Sequence, residues 1–488
     1  MPSPLDKLEP RLIWKHFDAI RQIPRPSKHE ERVAQHVVGW ARGKGLEVAR
    51  DAAGNVIVRV PASAGHEKAP VVVLQGHLDM VPEKNSDVEF DFDKDPIQVR
   101  VVDDFVYATG TTLGSDNGIG VAAAMAVADD PGVVHGPLEL LFTVDEETGL
   151  TGAMQLDASL IRGKTLLNLD TEEEGALYIG CAGGADTHAT FAIARKDTRA
   201  GTMALKIAVR GLRGGHSGVD IHENRGNALR FLLRALNAVR EHGLRFALVS
   251  IEGGSKHNAI PREADAVIRI APHNEASLRV VVEGVGKLLK EEYHEIDANG
   301  RIEVTRVADS AKNRQVWRPG DANRVINALL AVPHGVLAMS RAVPGLVETS
   351  NNLAVVITEP DKVRVTTSSR SSVMPSLKAT TEQLAAIFRL GAAKVELHDG
   401  YPGWKPNPGS PVLKTVERVY QREFGAKPVV KAIHAGLECG LLGERCPGMD
   451  MVSLGPQIES PHSPDERVKI SSVGKFYQLL KATLKELA

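Results

Sequence analysis

Four short apolar runs in this chain each break off into residues that can ligate a cation, and no other feature constrains the fold as strongly. Residues 71–75 (Val, Val, Val, Leu, Gln) lead into Gly76, His77, Leu78 and Asp79. Residues 138–144 lead into Asp145, Glu146 and Glu147, and residues 165–169 lead into Asp170. Residues 451–454 lead, through Gly455 and Pro456, toward Pro461, His462 and Ser463. Runs this short and this nearly continuously apolar suit strands buried on both faces. Helical stretches lie between and around them. From Glu31, apolar residues recur at Val33, Val37, Val38 and Ala41, close to a 3.6-residue period. Gly114, Ser115, Asp116, Asn117 and Gly118 open a second helical run over residues 121–128. Strands alternating with helices predict an α/β fold with a mostly parallel central sheet flanked by helices. Ligands of such sheets bind beyond the carboxyl ends of the strands, which is where the polar residues fall.

A chain of 488 residues exceeds what one core supports, roughly 250–300 residues. The middle of the chain differs from its flanks: residues 203–209 are strand-like and residues 227–240 form an amphipathic helix. Residues 400–410 are dense in Pro and Gly, which marks a connection. The expected organisation is a discontinuous catalytic domain, 1–185 and 400–488. An inserted α+β lid domain of two subdomains, 186–399, interrupts it. A formal net charge of −2 gives no pull toward nucleic acid or an anionic membrane. Residues 1–10 lack the apolar core of a secretory signal, and no run reaches the ~18 apolar residues that span a bilayer. Cys181, Cys439 and Cys446 are too scattered for a disulfide framework. These features predict a soluble cytoplasmic protein.

Each candidate residue also has a plain structural reading. His77 and Asp79 are two apart at a strand end, so they share a side, and a ligating histidine commonly gives its second ring N–H to a carboxylate. A turn histidine beside a capping aspartate leaves the same pattern. Asp116 alone reads as a helix N-cap. Glu146 and Glu147 repel one another and Asp145 unless cations or solvent relieve them. Adjacent carboxylates can also divide the work, one binding metal and one moving protons. Asp170 and His462 are individually weak signals. Together, His77, Asp116, Glu147, Asp170 and His462 place nitrogen and oxygen donors at one set of strand ends, which favours a two-metal site over separate accidents.

In this order, residues 76–79, 114–118, 145–147, 168–170 and 460–462 resemble the aminoacylase/carboxypeptidase/dipeptidase family of co-catalytic zinc peptidases. The resemblance runs from end to end, supported by residues 213–218, 256–261, 401–406 and 433–440. It implies that Asp116 bridges two divalent ions, His77 and Asp170 completing one site and Glu147 and His462 the other. It makes Asp79 the support of His77 and Glu146 the general base, and it places a cis peptide at Asp116–Asn117. His216 becomes the donor to the developing oxyanion, and Asn258 a substrate contact. Gly436 and Glu438 share a glycine-containing loop that could face substrate. Arg370 is a candidate clamp for a terminal carboxylate, because guanidinium binds carboxylate as a forked pair; a solvated strand arginine reads the same. Mixed N/O ligation suits Zn2+, with Co2+ or Mn2+ as alternatives. The implied substrates are small peptides of the Xaa-His type, carnosine-like ones included, and the implied assembly is a homodimer through the lid. Rival readings are a tripeptidase, broader dipeptidase or N-acyl amino acid deacylase of the same family, a two-metal phosphoesterase, and a non-catalytic peptide-binding relic. The chain shows no glycine-rich phosphate cradle, and every site position is filled, which disfavours the last two.

Overall fold

The computed structural model describes residues 3–398 and 400–488; Met1, Pro2 and the expected domain edge at Asp399 lie outside them. The chain forms two compact units: Met1–Cys181 with Trp404–Ala432 and Leu437–Ala488, and Ala182–Gly403 with Ile433–Gly436. Among the described residues no helix is long and apolar enough to cross a membrane.

The first unit is built on an eight-stranded sheet. Its centre is four strands: β1 (Val72–His77), β2 (Leu138–Thr143), β3 (Thr165–Asn168) and β4 (Asp450–Ser453), in the order β2-β1-β3-β4. All three of these pairings are parallel. Antiparallel strands flank them: Val56–Val60 beside β2 and Ala176–Cys181 beside β4. Every residue of β1 and β2 is buried, which explains why these runs are mostly apolar instead of alternating. In register, His77 stands opposite Thr143, and Gln75 opposite Asn168. The strands therefore end at a common level.

Helix α1 (Ser115–Asp129) is buried along most of its length. Small residues let it lie close to the sheet. The Asn117 side chain donates from Nδ2 to Leu169 O at 2.8 Å, wedged where Gly76 and Gly120 leave room. A Cβ on Gly76 would stand 2.2 Å from Asn117 Oδ1. The Asp116–Asn117 peptide is cis.

The second unit is the inserted domain. Nine strands form one continuous antiparallel sheet, in which Lys362–Ser371 lies between Val347–Thr358 and Gly183–Ala192. Helices Ala228–Glu241, Glu275–Tyr293, Pro319–Ala331 and Met374–Leu390 contribute Phe231, Leu278, Val325 and Phe388 to one core with the strands. Asn227 caps the first of them by accepting from Leu229 N and Arg230 N.

Gly120 offers a direct test of the helix packing. An alanine Cβ there would meet Asn117 Oδ1 at 2.4 Å and the Leu169 carbonyl at 2.5 Å, and the latter is backbone. Gly120→Ala is expected to destabilise the chain by about 1–3 kcal/mol through overpacking, read as a lower urea midpoint. An unchanged midpoint would mean the helix has room that these distances deny.

Candidate metal centre

The ends of the parallel strands and three loops deliver the site. β1 ends at His77. The turn after β2 carries Glu146 and Glu147, and Asp170 follows β3. Asp116 stands in the first turn of α1. His462 comes from the loop between strands Ile458–Glu459 and Arg467–Lys469, an antiparallel pair. All of these residues belong to the first unit.

Asp116 divides its two oxygens. Oδ1 lies 3.1 Å from His77 Nε2, and Oδ2 lies 3.1 Å from His462 Nε2. Asp170 Oδ1 is 3.4 Å from the same His77 nitrogen, and Glu147 Oε2 is 3.0 Å from the same His462 nitrogen. Each imidazole nitrogen thus faces two carboxylate oxygens, which is more than a single N–H can serve. Donors at ~2.0–2.1 Å around a tetrahedral ion would stand roughly 3.3 Å from one another, and the spacings here match that. Asp170 Oδ1 and a second oxygen of Glu147, Oε1, are buried without a hydrogen-bond partner. The donor set therefore fits two divalent ions, one on each side of Asp116.

The electrostatics point the same way. Burial, then repulsion from Asp116 and Asp170, pushes the Glu172 carboxyl up to about 9. Burial likewise raises Asp170 to about 6, against the pull of His77. Glu146 is raised by burial and by Asp170, Glu438 and Glu147, with His77 opposing. His462, beside Asp116 and Glu147, is raised to about 11. So many buried carboxylates are short of positive charge, which dications would supply.

Asp79 fixes two parts of the site at once. Its Oδ1 faces His77 Nδ1 at 3.3 Å. The two carboxylate oxygens also accept the backbone N–H groups of Glu146 and Glu147, at 3.0 and 3.1 Å. Asp145 stays out of the donor set: it takes a left-handed backbone conformation, and the Thr148 and Thr151 hydroxyls donate to its side chain. Glu438 begins helix Glu438–Arg445 and is 1% exposed. Its Oε2 accepts from Gln75 Nε2 at 2.5 Å and Thr143 Oγ1 at 2.7 Å.

The remaining candidates lie in the second unit. His216 stands on a two-residue strand paired with Ala259–Ile260, and Ser217 N donates to Asn258 O at 2.8 Å. Arg370 is 7% exposed, donates from Nη1 to Tyr401 Oη at 2.9 Å, and leaves Nε without a hydrogen-bond partner. Its strand neighbour Ser350 holds His434 Nε2 at 2.7 Å. Gly436 lies against Tyr401, whose ring a Cβ would meet at 2.8 Å.

The sequence model of Peptidase family M20/M25/M40 matches residues 73–486. The chain belongs to this family. It is 44% identical to the cytosol non-specific dipeptidase of Escherichia coli (strain K12) over 490 residues, covering 99% of each protein. The crystal structure of aminoacylhistidine dipeptidase from Vibrio alginolyticus superposes with a TM-score of 0.92 at 44% identity, covering 99% of this chain and 98% of that one. Aminopeptidase PepT of Bacillus cereus shares the fold, with a TM-score of 0.58 at 17% identity, covering 98% of this chain and 99% of that one. The chain is thus a metallo-hydrolase of a peptidase family.

Three residues that sequence reasoning passed over shape the site. Glu172 brings a carboxylate within 4.8 Å of the donor atoms of Asp116 and His462; its signal was a position two beyond Asp170. Arg25, 2% exposed, donates to Leu78 O at 2.8 Å, Asp79 O at 2.6 Å and Gly114 O. Glu466, also 2% exposed, accepts the N–H groups of Leu113, Gly114, Ser115 and Asp116 at 2.7, 3.0, 2.8 and 3.3 Å, and the Ser115 hydroxyl at 2.6 Å. It ties the turn carrying Asp116 to the loop carrying His462. In Glu466→Gln one oxygen becomes an NH2 group facing N–H donors. This variant is expected to bind Zn2+ about 10–100-fold more weakly, measured by competitive chelator titration; an affinity equal to wild type would contradict the role.

Proposed function

We propose that the chain is a metal-dependent dipeptidase acting on small peptides with a free amino end, Xaa-His peptides of the carnosine type included. The observation that carries this reading is the division of Asp116 between His77 and His462, with Asp170 and Glu147 completing the two sides. Two relatives at 44% identity that bear dipeptidase names support the substrate class. His77, Asp116 and Asp170 would hold one ion, and Asp116, Glu147 and His462 the other. Zn2+ suits this mixture of nitrogen and oxygen, with Co2+ or Mn2+ as alternatives.

When bound, such a pair polarises the scissile carbonyl and makes water in the site more acidic. Glu146 lies with His77 and Glu147 in one group whose donor atoms are within 4.8 Å of each other. Burial and the carboxylates around it disfavour its ionised form, and bound dications would offset them and leave it free to act as base. It takes the proton of the attacking water and passes it to the leaving nitrogen. Asp79 holds His77 in one orientation throughout. Glu438 enters through its charge, which opposes ionisation of Glu146.

We assign the inserted domain the groups that recognise the rest of the peptide. His216 Nδ1 accepts N–H bonds from Gly218 and Val219 at 3.3 and 3.0 Å, so its neutral ring carries the hydrogen on Nε2. Burial and then Arg370 lower its pKa and keep it neutral. A neutral N–H suits a donor to the developing oxyanion. Arg370, with Nε unpartnered, suits the terminal carboxylate. Asn258 and Gly436 belong to the same group of substrate contacts.

Glu146→Gln is expected to retain two ions per chain by metal analysis and to lose at least about a hundredfold in kcat on an Xaa-His dipeptide. N-acetyl amino acids should be poor substrates of the wild type. Turnover by the Gln variant would remove Glu146 from its role, and an inert wild type with full metal would favour the relic. We also place the enzyme in the cytoplasm as a homodimer joined through the inserted domain. Strand Gly335–Met339 leaves Val336, Leu337 and Met339 exposed at its surface, apolar area suited to a second copy. Light scattering should give twice the 52.5 kDa chain mass, and Leu337→Lys should return it to one.

A further inference from the structure

Glu172 stands outside the two donor sets and the general-base role assigned above, although its carboxylate could join Asp116 and His462 around an ion. It lies in the loop after β3, half-buried, with a carboxylate oxygen within 4.8 Å of the donor atoms of Asp116 and His462. In a dipeptide the α-ammonium is only two bonds from the scissile carbonyl carbon. Whatever receives that ammonium must therefore stand beside the ions. The nearby carboxylates already have work: Asp116, Glu147 and Asp170 as donors, Glu146 as base. Asp79 is 0% exposed and holds His77 and two backbone N–H groups. Glu438 is 1% exposed beneath Gln75 and Thr143. Glu172 is the carboxylate that is left, and it is open enough to meet a substrate.

We propose that Glu172 receives the α-ammonium of the substrate's first residue and so selects peptides with an unblocked amino end over acylated or des-amino ones. This rests on the dipeptidase reading and deepens it. The test uses the metal-loaded full chain with two probes of equal length: alanyl-histidine, and propionyl-histidine, which lacks only the amine. In Glu172→Gln, kcat/KM for alanyl-histidine is expected to fall about a hundredfold, chiefly through KM, while the Ki of propionyl-histidine stays within about twofold of wild type. Metal analysis should still find two ions, which also shows the variant is folded. Glu172→Asp keeps the charge and should recover part of the loss. Equal losses on both probes, or no loss on alanyl-histidine, would overturn the assignment. Loss of one bound ion would make Glu172 a ligand instead. Failure of the metal-loaded wild type to cleave any dipeptide would sink the underlying reading, a result distinct from these.

Discussion

Asp116 can offer one oxygen to His77 and the other to His462, both at 3.1 Å, only if residues from opposite ends of the chain reach the same few ångströms. The rest of the first unit serves that requirement. Parallel strands are the economical way to meet it, because their carboxyl ends lie side by side and the connections return on the far edge. β1 delivers His77 at its last paired position, β3 delivers Asp170 two residues past its end, and β2 delivers Glu146 and Glu147 three and four residues past its end. The cost is a dense patch of carboxylates in a buried place, whose charge protons or cations must offset.

Precision of this kind needs support behind the donors. A chain of buried hydrogen bonds runs across the strands one step below the site: Asn168 Nδ2 to Gln75 Oε1 at 2.6 Å, then Gln75 Nε2 to Thr143 at 3.2 Å and to Glu438 at 2.5 Å. Each side chain is fixed on both sides, so the strand ends cannot slide independently. Arg25 and Glu466 do the same for the loops. One donates to the carbonyls of the His77–Asp79 turn and of Gly114; the other collects the N–H groups of residues 113–116. Removing either would leave buried polar groups unpaired, at a cost of several hydrogen bonds together.

The strands were legible because burial on both faces erases the alternation that would otherwise mark them, and the break from apolar to acidic marks their ends. β2, expected over 138–144, is Leu138–Thr143. β1 runs through Gly76 to His77, the expected strand end, and Gly76 is a point of close approach to Asn117. The candidate donors were legible by their motifs. What supports them was not. Arg25 and Glu466 sit in polar loops, where a charged residue reads as solvated, and nothing local tells a buried carboxylate that accepts four backbone N–H groups from one in water. Glu172 was hidden in an acidic run, Glu172 to Glu174, whose other members lie outward: Glu173 pairs with Lys431 and Glu174 with Lys475. The short excursion Ile433–Gly436 into the second unit has no compositional mark at all.

Charge accounting ties the site to its substrate. Asp116, Glu146, Glu147, Asp170 and Glu172 would carry five negative charges when ionised; Asp79 lies beside the buried Arg25 guanidinium and accepts two backbone N–H groups, and burial raises Glu438 to about 7. Two dications would supply four positive charges. At least one negative charge would be left over beside the ions, in a place where burial makes it costly. A substrate that brings its own α-ammonium cancels it; an acylated amine cannot, and would bury the uncompensated carboxylate as it bound. On this view preference for a free amino end follows from the same buried charge that would hold the metals.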